Sequence, residues 1–152
     1  MRAGLVQLTV SDDPAENLPE TLALIDAAVT GGAGFVLTPE CTNALSSNRA
    51  RQKALLHPEA SDPTLAALRE AAAKSGIWLL IGSLGLLTDD ADGRFANRSF
   101  LISPAGEIAA RYDKIHMFDV NVSETEVYRE SAAYRPGTRA VLAGTPFARI
   151  GM

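Results

Sequence analysis

Arg2-Ala3-Gly4-Leu5-Val6-Gln7-Leu8-Thr9-Val10 is followed at once by Ser11-Asp12-Asp13-Pro14. After one helical stretch comes Phe35-Val36-Leu37-Thr38-Pro39. These three strings decide the fold. The first is apolar and rich in β-branched residues after Arg2, the pattern of a buried strand. Asp13 suits an N-cap, Pro14 the first helical position, and Glu16 completes a capping-box-like spacing. Leu18, Leu22, Ile25 and Val29 then recur at steps of four, three and four, which puts them on one helical face. Gly31-Gly32 ends the helix, and Phe35–Thr38 reads as a second short buried strand stopped by Pro39. Strand, helix, strand in this order implies two parallel strands joined by a right-handed crossover, and so an α/β fold.

Moving outward, residues 43–59 read as a loop with one short helix. Ser61-Asp62-Pro63 opens a second helix with Leu65, Leu68 and Ala72 as its apolar stripe and Gly76 as its end. Residues 77–87 form a strongly apolar strand, in which Trp78 is expected to be core. Residues 88–94, with Asp89, Asp90, Asp92 and Gly93, form an exposed turn. Residues 95–102 and 107–112 make strands around a tight turn at Ser103-Pro104-Ala105-Gly106. Residues 113–137 show little periodicity, and loops of that length are uncommon unless they carry function. Residues 139–142 and 147–150 are two further strand candidates. No repeat or linker divides the chain, which reads as one domain or part of one.

Composition narrows the function. The 152 residues are 47% hydrophobic and 21% charged, which excludes disorder and collagen-like repeats. Lys+Arg 14 against Asp+Glu 18 gives a net charge of −4. With no basic run, this is not the footprint of a nucleic-acid binder. A single cysteine, Cys41, excludes an internal disulfide and a cysteine-cluster zinc site. His57 and His116 lie far apart, so no metal is expected. There is no apolar stretch near the roughly 18 residues a membrane span needs and no signal-peptide core at Met1–Gln7. The expected setting is cytoplasmic.

Three ionisable residues stand at telling places. Glu40 follows Thr38-Pro39 at the carboxyl end of a strand, the edge where α/β sheets build sites. Lys114 follows Arg111-Tyr112-Asp113 at the end of another. Glu130 lies in Tyr128-Arg129-Glu130-Ser131, inside the long irregular segment. Gly82-Ser83-Leu84-Gly85 is not a nucleophile elbow, because Ile81 stands where that motif needs glycine. The acidic cluster at 89–92 lacks calcium-loop spacing.

The ordered strings Thr38-Pro39-Glu40, Asn97-Arg98-Ser99, Tyr112-Asp113-Lys114-Ile115-His116-Met117-Phe118-Asp119-Val120, Tyr128-Arg129-Glu130-Ser131, Pro136-Gly137, Thr145-Pro146-Phe147 and Arg149-Ile150-Gly151 resemble the nitrilase, or carbon–nitrogen hydrolase, superfamily. They look most like its Nit branch of omega-amidases and deaminated-glutathione amidases. The resemblance runs through the whole chain but covers only about the first half of the family's domain. It implies an α-β-β-α sandwich, of which residues 1–152 are the N-terminal part. It also implies a Glu-Lys-Cys site in which Glu40 matches the general base, Lys114 the catalytic lysine and Glu130 the supporting acid. His116 is expected at the substrate pocket, and Asp119 in a similar role. No cofactor is implied. The implied partners are a small-molecule amide and further copies of the chain in a homo-oligomer.

The family's nucleophilic cysteine follows a string like Arg149-Ile150-Gly151, and this chain stops at Met152. Cys41 is not expected to replace it. On a continuing strand its side chain would face away from that of Glu40, and cysteine is often a small buried apolar residue. The missing half is expected from a separate chain or from a longer polypeptide, and residues 1–152 alone are expected to be marginally stable, prone to association and without amidase turnover. The alternative is a non-catalytic fragment or interaction subunit of a nitrilase-like assembly.

Overall fold

The computed structural model describes residues 1–152. The β-α-β unit forms as its caps dictate. Asp13 accepts a hydrogen bond from the Ala15 amide at the start of α1 (Pro14–Thr30), and Gly31 closes the helix. The capping contact of Glu16 is relayed: the Asp13 amide donates to Ser11 Oγ, and that hydroxyl donates to Glu16. α1 joins β1 (Ala3–Leu5) to β2 (Phe35–Leu37), and the two strands pair in parallel.

A third parallel strand, β3 (Trp78–Leu86), lies beyond β2, and β4 (Ala96–Ile102) and β5 (Ile108–Asp113) continue the sheet as antiparallel neighbours, in the order β1-β2-β3-β4-β5. Between β2 and β3 the chain forms α2 (Arg49–Leu55) and α3 (Pro63–Ser75). Asp62 caps α3 through the Leu65 amide at 2.7 Å, and Gly76 ends it in the left-handed conformation.

α1 and α3 cover one face of the sheet. There Leu65, Leu68 and Ala72 of α3 meet Val36, Leu79, Ile81, Leu84, Phe100 and Ile102 of the strands. The opposite face carries Phe35 and Leu101 beneath a hairpin of β8 (Leu142–Gly144) and β9 (Arg149–Gly151). The layers are thus helix, sheet and a β-hairpin, in the sequence of an α-β-β-α sandwich. No helix is long and apolar enough to cross a membrane.

Four expectations are corrected. β1 is an edge strand rather than a buried one. Its inward residues reach α1, whereas Leu5 is 80% exposed. The expected stripe of α1 holds in Ile25, which is buried, and in Leu22 and Val29, which pack against the same core, but the most buried positions beside Ile25 are the polar Asn17 and Thr21 rather than Leu18. Asn17 is buried because its amide donates to the carbonyls of Ser11 and Asn43, tying the helix to the loop after β2. Trp78 is only half-buried, edge-on to Phe147. Residues 113–137 are not wholly irregular. They contain a hairpin of β6 (Asp119–Asn121) and β7 (Val127–Arg129), followed by a 3-10 turn at Glu130–Ala132.

Candidate active site

The parallel strands deliver Glu40 to one edge of the sheet. Beyond β2 the chain crosses over β3 at Gly82. A Cβ there would lie 2.3 Å from the Thr38 carbonyl oxygen and 2.5 Å from Pro39. Only glycine admits that crossing, and the β3–β4 register shifts between Ile81 and Leu84 to accommodate it. The crossing is then pinned. Gly82 N–H donates to Thr38 Oγ1, Ser83 N–H to the Pro39 carbonyl, Cys41 N–H to Ser83 Oγ and Thr42 N–H to the Ser83 carbonyl. Cys41 takes a φ of 54°, unusual for a side chain with a Cβ, so the chain bends sharply there and does not continue as a strand.

Lys114 is fixed from both sides. Its N–H donates to the Asn97 carbonyl, and its own carbonyl accepts from Gly137 N–H at 2.8 Å. A Cβ on Gly137 would lie 2.1 Å from the Asp113 carbonyl oxygen, so Pro136-Gly137 is the small-residue clamp that seats Lys114. Glu130 arrives from the 3-10 turn after β7. Its Oε2 accepts from Phe118 N–H at 2.6 Å, and its own N–H donates to the Phe118 carbonyl.

The three side chains meet. Lys114 Nζ lies 2.8 Å from Glu40 Oε1 and 3.0 and 2.9 Å from the two oxygens of Glu130. Asn97, only 2% exposed on β4, donates from Nδ2 to Glu40 Oε1 at 2.8 Å and to Glu130 Oε1 at 3.4 Å. Both donors to Glu40 therefore land on Oε1, and Oε2 has no protein donor. The hydrogen bond from Lys114 holds the Glu40 carboxyl below its ordinary range, against the opposing effect of burial and with help from Asn97. Burial works against the Lys114 ammonium, but its hydrogen bonds to Glu40 and Glu130 outweigh that, and its pKa is raised. Both shifts favour the charged forms, Glu40 as carboxylate and Lys114 as ammonium.

Cys41 borders the same cavity, but its thiol is pushed up to about 11 by burial and by the charges of Glu40 and Glu130. A thiol so placed stays protonated near neutral pH, the opposite of an activated nucleophile.

The cavity measures about 670 Å³. Glu40, Cys41, Lys114 and Glu130 line its charged end, and Leu45, Phe118, Val127 and Tyr128 line its apolar part. Gln52 and Tyr134 close one wall, with Gln52 Nε2 donating to the Tyr134 hydroxyl at 2.9 Å. His116 is exposed and is not among the lining residues. Asp119 is exposed as well. It accepts from Ser131 N–H and Oγ, and so braces the turn that carries Glu130. A second cavity of about 680 Å³ lies beside β5, and three of its four arginines, Arg98, Arg111 and Arg135, are engaged by carboxylates, Arg139 being the exception. Arg98 is bidentate to Asp113 and also pairs with Glu59, and Arg135 pairs with Asp90.

Sequence reading gave Asn97 no role beyond its string. The available signal was an asparagine followed by Arg98 and Ser99 at the head of an otherwise apolar strand, since a buried polar side chain must find partners. Arg49 and Gln52 carried no signal, because their placement depends on where α2 docks.

The five-stranded mixed sheet with two helices on one face is an α/β fold shared with solved proteins of the nitrilase superfamily. The NitFhit protein of C. elegans superposes with a TM-score of 0.84 at 28% identity over 97% of this chain and 36% of that one. Residues 2–152 match the carbon–nitrogen hydrolase family, and the chain belongs to that family. It is 36% identical over 151 residues to the deaminated glutathione amidase of Yersinia enterocolitica, covering 98% of this chain and 52% of the relative. It is 30% identical to the omega-amidase NIT2 of Homo sapiens, covering 99% and 53%. The chain spans about half the length of the curated relatives it matches.

Proposed function

We propose that residues 1–152 supply the acid–base half of an amidase that hydrolyses small linear amides, omega-amidase-like in substrate, through a thioester. The observation that carries this reading is the state of Glu40. One carboxylate oxygen is anchored by Lys114 and Asn97, while the other is unengaged in the cavity. A base held by one oxygen and free at the other is aligned to take a proton.

In this reading the nucleophile is a cysteine outside residues 1–152, since Cys41 is held as a neutral thiol. Glu40 Oε2 takes the thiol proton, and the thiolate adds to the amide carbon. The oxygen that gains charge is stabilised by the Lys114 ammonium. Glu40 then protonates the leaving nitrogen, which departs as ammonia, and afterwards takes a proton from the water that opens the thioester. Glu130 holds Lys114 charged and aimed. No cofactor enters these steps. His116, exposed outside the cavity walls, is proposed to meet substrate only at the pocket's rim. The assembly is proposed to be a homo-oligomer whose subunits, or a further chain, complete the domain.

Three substitutions test this in the longest native form of the protein. Glu40→Gln, Lys114→Ala and Glu130→Ala are each expected to lower kcat by at least about 10²-fold, the usual scale for lost acid–base or oxyanion help. Retention of full turnover by any of the three removes that residue from the scheme. Turnover by residues 1–152 alone that vanishes in Cys41→Ala would reinstate Cys41 and overturn the proposal of an outside nucleophile.

A further inference from the structure

The cavity beside β5 runs against the charge of the chain. The whole chain carries a net charge of −4. The walls of this cavity hold four guanidiniums, Arg98, Arg111, Arg135 and Arg139, against two carboxylates, Glu59 and Asp113. That is an excess of two positive charges. Asp90, which pairs with Arg135 from outside the walls, lowers it to one. A cleft lined mainly by one sign of charge focuses its field and concentrates ions of the opposite sign.

The four arginines are not equally spent. Arg98 commits Nε and Nη2 to Asp113 and Nη1 to Glu59, and so serves the fold. Arg111 commits only Nε, to Glu59 at 2.7 Å, which leaves both terminal nitrogens. Because Glu59 is itself held by Arg98, the Arg111 fork is fixed in place with donors to spare. Arg135 commits Nη1 to Asp90, while its Nη2 stands 3.9 Å from Asp113, beyond hydrogen-bond reach. Arg139 is exposed, and no carboxylate lies within 4.0 Å of it. The backbone adds to this. Thr138 and Arg139 follow the Gly137 amide that seats Lys114 and precede the Val141 amide that pairs with Met152, and their own two amides donate to no backbone carbonyl. Successive unspent backbone N–H groups are a recurrent part of anion sites.

We propose that this cavity is a binding site for a small organic phosphate, separate from the Glu40–Lys114–Glu130 cluster. A phosphate monoester carries about −1.5 to −2 charges at neutral pH and three acceptor oxygens, whereas a carboxylate carries one charge on one planar edge. The excess positive charge of the walls matches the former. Its three oxygens suit donors that come from separate places, Arg111 on β5 and Arg135 and Arg139 on the segment after Glu130, and guanidiniums bind phosphate oxygens in pairs. The volume falls within the roughly 300–1,000 Å³ of small-molecule sites, which leaves room for an organic group beside Tyr112 and Val141. The site does not depend on the amide-hydrolase reading above.

The test is calorimetric titration of the longest native form of the protein, at low salt, with phenyl phosphate and with benzoate as its carboxylate counterpart. Saturable binding of phenyl phosphate is expected, at least about tenfold tighter than that of benzoate, the scale of one added charge-assisted hydrogen bond. Arg139→Met is expected to weaken phenyl phosphate binding at least about tenfold. It should leave the Tm without ligand unchanged, because Arg139 pairs with no carboxylate of the fold. Folded Lys114→Ala is expected to keep the affinity of the wild type, which separates this site from the acid–base cluster. Four results each overturn the proposal: no saturable binding by the wild type, benzoate bound as tightly as phenyl phosphate, undiminished affinity in Arg139→Met, or lost affinity in folded Lys114→Ala. The wild-type comparison of the two ligands stands even where a variant does not fold.

Discussion

The two faces of the five-stranded sheet are built to different ends. On the helical side, Val36, Leu79, Ile81, Leu84, Phe100 and Ile102 are sealed under α1 and α3 at 0% exposure. On the other side, Phe35 and Leu101 are buried, but Leu37, Trp78 and Leu80 are only partly covered by the β8–β9 hairpin, whose turn lays Phe147 against Phe35 and Trp78. Asn97 lies on this second face, in step with Leu101 along β4. The first face supplies the stability of the domain. The second is only partly covered, and the charged cluster sits at its margin.

The sharpest break of this contrast is a pair of matched truncations measured by chemical denaturation of residues 1–152. Phe100→Ala removes a fully buried ring and is expected to cost about 3–5 kcal/mol. Phe147→Ala removes a half-covered ring and is expected to cost only about 1–2 kcal/mol. Equal losses would mean that the second face is as closed as the first. Gly82→Ala is expected to cost about 1–3 kcal/mol, because its methyl would be forced against the Thr38-Pro39 backbone. It should also lower turnover in the native protein by displacing Glu40, and a loss of stability with unchanged kcat would detach the crossing from the site.

The smallest effect concerns pH. Glu40 has a folded pKa below its ordinary 4.5, so its pairing stabilises the fold above that value and fades as pH falls through the folded one. Lys114 has a folded pKa above 10.5, so its contribution is present below that value and fades as pH rises through the folded one. Lys114→Met is therefore expected to raise the Glu40 carboxyl pKa, read by carbon NMR, since burial then acts with only Asn97 opposing it. It should also flatten the pH dependence of stability in both windows. An unmoved Glu40 would assign its depression to Asn97 instead.

What the sequence made legible follows the same divide. The caps at Asp13 and Asp62, the glycine stops at Gly31 and Gly76, and the apolar stripe of α3 are local signals, and each forms as expected. The strands from 78 to 113 follow their hydrophobicity. β6 and β7 were hidden because they are three residues long and largely exposed, so no alternation marks them. β1 looked buried because its residues are apolar, but burial also depends on having a neighbour on both sides, and β1 has one. The apolar stripe of α1 leaves out Asn17, because that residue is buried for its hydrogen bonds rather than its apolarity. Glu40, Lys114 and Glu130 were found together only through the resemblance of the surrounding strings. No periodicity connects residues 74 and 16 positions apart, and Asn97, which holds both carboxylates, left no trace beyond its own buried polarity.

The crossing of Thr38-Pro39 over Gly82 has one more consequence. Glu40 is not carried by a free loop. Its backbone neighbours are stitched into β3 through Ser83 on both sides, so the carboxylate cannot swing away unless that strand frays. Amide hydrogens around Ser83 and Thr42 should then exchange with solvent as slowly as those of the sheet interior. Heating should erase the arrangement of Glu40 and Lys114 in the same cooperative step that melts the sheet, leaving no partly folded form in which the acid–base pair survives alone.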